Sequence, residues 1–164
     1  MPTQEEIYLK YAAEYEALVA YEDYQGNILK AIQEVMPLSG LEVLDLGAGT
    51  GRLAGLLAPL VRSVLAFDLS SHMLGIAREK LQDLGLNNWL AAAADHRSIP
   101  LAADSADLIV CGWSVSYLAV WNPEGWREQV ERWLAEARRV LRPGGHILLF
   151  ESLGTGNESP VHLA

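Results

Sequence analysis

The sequence has a single cysteine, Cys111. That excludes an internal disulfide and a cysteine metal cluster, and it fits a reducing, cytoplasmic setting. Basic residues are scarce: 12 Lys and Arg stand against 21 Asp and Glu, a formal net charge of −9. An acidic surface repels nucleic-acid phosphates and anionic lipid, so neither is an expected partner. No apolar run reaches the roughly 18 residues needed to cross a bilayer. Met1-Pro2-Thr3-Gln4-Glu5-Glu6 lacks the basic start and apolar stretch of a secretion signal. Internal repeats are absent, and the nearest approach to low complexity is the alanine run 91–94. His72 and His146 lie apart from other ligand types, so no metal site is expected.

What the chain does have is core-forming residues. Its 164 residues are 51% hydrophobic and 20% charged, the balance of a single globular domain. Apolar spacing predicts helices over 5–20 and about Tyr24–Met36, with a break at Pro37-Leu38-Ser39-Gly40. Thereafter strand and helix patterns alternate. Strands are expected at Glu42–Asp45, Ser63–Phe67, Trp89–Ala93, Asp107–Trp113 and His146–Phe150. Helices are expected at about Gly51–Ala58, from a Ser70 or Ser71 cap to Gly85, and over 124–141. In the last of these, Trp126, Val130, Trp133, Leu134, Ala137, Val140 and Leu141 should face inward, and Arg142-Pro143-Gly144-Gly145 should form a turn. This alternation implies an α/β fold, a mostly parallel sheet with helices on both faces and ligands at the carboxyl ends of its strands.

The first strand runs into Asp45-Leu46-Gly47-Ala48-Gly49-Thr50-Gly51-Arg52. Glycines two apart let a ligand approach the backbone, and the helix after them turns its free N–H groups toward it. Gly49-Thr50-Gly51-Arg52-Leu53-Ala54 also fits the dinucleotide pattern G-x-G-x-x-A, with Asp68 near the distance of a ribose-binding acid, so a nicotinamide-dependent oxidoreductase is a rival reading. Asp45 weighs against it, because a carboxylate there repels a pyrophosphate but holds an ammonium group. Asp68 ends the second strand, placed to accept from two ribose hydroxyls, and Asp95 ends the third, placed to accept from an adenine amine. Asp95 could equally close an Asx turn before Ser98-Ile99-Pro100. An amine, a ribose and an adenine without phosphate describe S-adenosylmethionine. Arg52 is expected on the solvent face of its helix.

Together these motifs resemble the class I S-adenosylmethionine-dependent methyltransferases, over about Tyr8 to Glu151. Asp45-x-Gly47-x-Gly49-x-Gly51 is similar to that family's first motif, and Phe67-Asp68-x-Ser70-x-x-Met73-Leu74 to its second. Ala94-Asp95-x-x-x-Ile99-Pro100-Leu101 resembles the third. Ala106-Asp107-Leu108-Ile109-Val110 resembles the fourth strand, with alanine in place of phenylalanine, and Leu141-Arg142-Pro143-Gly144-Gly145 the turn before the fifth. Tyr8-x-x-Tyr11-Ala12-x-x-Tyr15-Glu16 is like the family's tyrosine-bearing helix over the methionine end, although Tyr8, Tyr11, Tyr15, Tyr21 and Tyr24 could also simply pack a helix on the core. The resemblance implies helices over 1–40 that lid the cofactor, a cofactor-binding core over 41–151 and a loop tail over 152–164. It implies cofactor contacts at Tyr11, Tyr15, Asp45, Gly47, Ala48, Gly49, Gly51, Asp68, Leu69, Met73, Asp95, His96 and Trp113.

Methyl transfer needs an acceptor held in line, plus loss of a proton when a hydroxyl or thiol is methylated. Trp113, Ser114, Ser116 and Tyr117 after the fourth strand and Glu151 after the fifth are the candidates around the transferred methyl, and none is a ready-made base. Trp113 could instead be core. A small-molecule acceptor is expected. The family's sheet has seven strands, and thirteen residues after Glu151 are too few for the last two. The expected five-stranded sheet therefore has an uncovered edge, which favours a homodimer. A cofactor-binding domain without activity is a further reading.

Overall fold

The computed structural model describes residues 11–19, 23 and 25–151, with the side chains of 12, 13 and 18 excepted. The expectations for Tyr8, Tyr21, Tyr24 and the tail 152–164 lie outside the described residues. In chain order the elements are α1 (Ala12–Val19), α2 (Asn27–Val35), β1 (Glu42–Leu46), α3 (Arg52–Leu57), β2 (Ser63–Asp68), α4 (Ser71–Asp83), β3 (Trp89–Ala93), β4 (Ala106–Gly112), α5 (Tyr117–Val120), α6 (Trp126–Val140) and β5 (Leu141–Phe150). The strands form one parallel sheet in the order β3-β2-β1-β4-β5. This is a Rossmann-like fold, with five strands among the described residues. No helix among the described residues is long and apolar enough to cross a membrane.

The strands read as apolar runs because both faces are covered. Val43, Val64, Leu108 and Val110 pack with Ile32, Ala54, Leu57, Leu74 and Leu81 on one face. Leu44, Leu46, Ile109 and Cys111 pack with Leu118, Trp133, Ala137 and Val140 on the other. The chain winds outward from β1 through β2 to β3 and then returns to β4 on β1's other side. The strand order therefore reverses between β1 and β4, and a crevice opens beyond their carboxyl ends.

Three local expectations are corrected. Leu134 is 42% exposed, because the inward stripe of α6 is carried by Trp133, Ala137 and Val140. Arg142-Pro143-Gly144-Gly145 is a bulge inside β5: Leu141 pairs with Ala106, and pairing resumes with His146 against Leu108. Gly144 has φ +82°, and a Cβ on Gly145 would lie 2.9 Å from the Asp107 carbonyl oxygen, so the bulge needs both glycines. It is pinned by Arg142, whose guanidinium donates to Asp107 Oδ1 (2.8 Å) and to Glu42, while Asp107 Oδ2 accepts the Glu42 N–H at 2.8 Å. Those bonds hold the Asp107 carboxyl below its usual range. Finally, α5 occupies a stretch to which the sequence assigns no element.

Trp133 is 1% exposed and is among the largest fully buried side chains. Trp133→Ala is expected to cost about 3–5 kcal/mol, read as a lower urea midpoint at unchanged slope.

Candidate functional site

The glycine loop hangs on its neighbours by backbone bonds. The N–H groups of Gly47 and Ala48 both donate to the Phe67 carbonyl, at 2.8 and 3.0 Å. Each glycine has a different task. Gly47, at φ +73°, lies against the loop after β4, where a Cβ would stand 2.3 Å from Ser114 Cβ. Gly49, at φ +54°, faces open space, and a Cβ there would meet nothing within 4 Å. Gly51, at φ +78°, precedes α3, and its missing side chain makes room for Ala77 of α4, 3.0 Å from where a Cβ would be. Gly51 is thus a packing residue and does not line the cavity.

Beyond the tips of β1 and β4 lies a cavity of about 660 Å³, a volume suited to a small molecule. Tyr15 and Val19 of α1 form one wall, and α1 is tied to α4 by the Lys80–Glu16 ion pair at 2.7 Å. Of the expected contacts, Tyr15, Asp45, Gly47, Ala48, Gly49, Asp68, Leu69, His96 and Trp113 line the cavity. Tyr11 is 42% exposed and away from it. Met73 is fully buried, facing the core with Leu74 and Ala77, because the Ser70 side chain accepts its N–H and sets the phase of α4.

Asp45 is 1% exposed. Its Oδ2 accepts the Ala54 N–H of α3 at 3.0 Å, and its buried Oδ1 has no hydrogen-bond partner among the described residues. Burial, aided by the nearby Asp68 charge and opposed by the Ala54 N–H, pushes its pKa up from 3.8 to about 7. Asp68 accepts from Gly49 N–H and Ser70 N–H, both at 2.8 Å. Burial raises its pKa too, against those bonds. Asp95 departs from expectation. Its oxygens accept the Arg97 N–H (2.8 Å), Nε (2.9 Å) and Nη2 (2.6 Å), and the Arg97 side chain holds its pKa down. The Asx-turn reading describes this geometry, and the cavity is lined there by Ala94, His96 and Arg97. His96 is kept neutral by burial, which lowers its pKa.

Arg52 is also corrected. It lines the cavity, with its guanidinium carbon 4.5 Å from the centre of the Trp113 ring. Trp113 takes φ +53°, and its N–H donates to the Phe150 carbonyl at 2.7 Å. Among the other candidates near the methyl, Ser114 and Tyr117 line the cavity, with Ser114 Oγ donating to the Leu46 carbonyl at 3.0 Å. Glu151 does not line it. Its carboxylate caps α5, accepting from Val115 N–H, Ser116 N–H and Ser116 Oγ. Thr50, Leu118, Trp121, Asn122 and Gln129 also line the cavity and carry no motif that would single them out.

A family model described as a methyltransferase domain matches residues 44–149. The chain belongs to this methyltransferase family. A malonyl-[acyl-carrier protein] O-methyltransferase of Marinomonas sp. is 30% identical over 88% of this chain and 50% of its own length. A demethylmenaquinone methyltransferase of Clavibacter sepedonicus is 35% identical over 71% of this chain and 43% of its own. Phosphoethanolamine N-methyltransferase 1 of Haemonchus contortus, solved with phosphoethanolamine and S-adenosylhomocysteine, superposes at a TM-score of 0.64. It is 29% identical over 83% of this chain and 28% of that one. The chain spans half or less of the length of these relatives. The methyltransferase cofactor is S-adenosylmethionine, and the donor set fits it: a buried carboxylate oxygen lacking a partner suits an ammonium, and the space above Gly49 admits a ligand to the backbone.

Unfolding returns Asp45 toward 3.8, so between about pH 4 and 7 the folded chain binds the extra proton and stability falls as pH rises. A bound ammonium reverses the preference by favouring the carboxylate. The affinity for S-adenosylhomocysteine is therefore expected to fall by up to about tenfold for each pH unit below 7. Calorimetry at several pH values should show that slope in wild type and its loss in Asp45→Asn, which leaves the contribution of Asp68 and His96 in view.

Proposed function

We propose that this chain is the catalytic domain of an S-adenosylmethionine-dependent methyltransferase acting on a small-molecule acceptor. The observation that carries the reading is the Asp45 oxygen that has no partner among the described residues, buried beside a glycine loop at the point where the strand order reverses. In this reading Asp45 holds the cofactor's ammonium and Asp68 its ribose hydroxyls. Leu69, 60% exposed at the cavity rim, and the neutral His96 flank the adenine. When bound, the cofactor supplies an electrophilic methyl group on a sulfonium.

The rest is positioning. The residues of the cavity would hold an acceptor in line with that methyl group, and no protein group would need to be modified. Tyr15 and Val19 exclude water from one side. The Trp113 ring, which carries the Arg52 guanidinium 4.5 Å from its centre, would wall the cavity beside the methyl group. Ser114 and Glu151 are spent on the Leu46 carbonyl and the α5 cap, so neither is assigned as the base. An acceptor that loses a proton releases it to water. The three relatives' names give three different acceptors, so none is transferred to this chain.

Titration with S-adenosylhomocysteine tests the reading. Wild type is expected to bind it and to discriminate against a nicotinamide dinucleotide, and Asp68→Ala is expected to weaken binding at least about tenfold through loss of charge-assisted hydrogen bonds. Preference for the dinucleotide, or no binding of S-adenosylhomocysteine, overturns it.

A further inference from the structure

The cavity is chemically divided. The tips of β1, β2 and β3 give it carboxylates and backbone amides. The segment after β4 gives it Trp113, Ser114, Tyr117, Leu118, Trp121 and Asn122, a wall without a charged residue. Arg97, across the cavity, is engaged by Asp95 and by Gln129 Oε1.

Within that wall Tyr117 and Trp121 are stacked, their ring centres 4.9 Å apart and their planes 23° from parallel. They lie four residues apart, and the Trp121 N–H donates to the Tyr117 carbonyl at 2.9 Å, which fixes their spacing. Trp121 lines the cavity and yet is 55% exposed, and its neighbour Val120 is 59% exposed. A large ring half in water at a cavity mouth leaves apolar area for a ligand to cover. Nearly parallel rings extend a flat face, and rings prefer to continue such an arrangement by offset stacking. Asn122 Oδ1 accepts the Gly125 N–H at 3.1 Å, which leaves the amide NH₂ to donate to a polar ring substituent.

We infer that the methyl acceptor is a neutral, planar aromatic molecule bearing a hydroxyl or carbonyl group, stacked on the Tyr117–Trp121 pair. The inference rests on the methyltransferase reading and adds the acceptor class. Arg52 brings one guanidinium over the Trp113 ring, but the chain's net charge of −9 disfavours an anionic acceptor. A saturated acceptor would cover the same area without the stacking preference.

The test compares 2-naphthol with its saturated counterpart decahydro-2-naphthol, by titration with and without saturating S-adenosylhomocysteine. Wild type is expected to bind the naphthol roughly three- to tenfold more tightly than the saturated alcohol, the scale of aromatic stacking. Trp121→Ala should erase that preference and Trp121→Phe should keep most of it, with thermal unfolding checking that each variant is folded. Binding of S-adenosylhomocysteine with equal affinity for the two alcohols overturns this inference alone, as does an undiminished preference in Trp121→Ala. Failure of wild type to bind S-adenosylhomocysteine overturns the methyltransferase reading and this inference with it.

Discussion

A carboxylate that burial keeps from ionising freely stands where β1, α3 and the cavity meet, and much of the architecture serves to hold it there. Parallel pairing places Asp45 between Ala66 and Val110, so its backbone cannot move without breaking the centre of the sheet. The Ala54 N–H satisfies one oxygen and orients the other. A buried charge without a partner is costly, and the free protein limits the cost by holding a proton up to about pH 7. Asp68 solves the same problem differently, with two backbone N–H groups.

The opposite end of the sheet is closed where this one is open. Arg142 joins Glu42 and Asp107 across the amino ends of β1, β4 and β5. Farther along, Arg139 donates to the carbonyls of Ile99 and Leu101, and Glu136 accepts the Ile99 N–H, so the β3–β4 linker is stitched to α6. Charges there are spent on one another, whereas Asp45 keeps an oxygen in reserve.

Strands, glycine loop and strand-end carboxylates were legible because each follows from local rules: apolar runs for strands buried on both faces, glycine where φ is positive, an acid where a strand stops. Met73, expected at the cofactor by resemblance, lies instead in the core, since it shares a helical stripe with Leu74, Ala77 and Leu81 once Ser70 is the cap. Other positions depended on partners that spacing does not reveal. Asp95 is decided by Arg97 two residues on, because that guanidinium engages both oxygens of its carboxylate, and Asp95 does not line the cavity. Arg52 follows a left-handed glycine and meets Trp113, itself at an unusual positive φ, and no linear pattern pairs those two. Pro143 and Gly144 carry turn chemistry, but pairing of Leu141 and His146 with β4 overrides it and makes a bulge.

The contact between Gly47 and Ser114 sets a rule for how this molecule can change. The glycine loop and the segment after β4 share one boundary, a hydrogen atom on one side and a small side chain on the other. A side chain added at position 47 has no room and must push Ser114. Farther along, Trp121 lines the cavity without that contact and is 55% exposed. The two sides of the cavity differ in chemistry but are joined sterically where Gly47 meets Ser114.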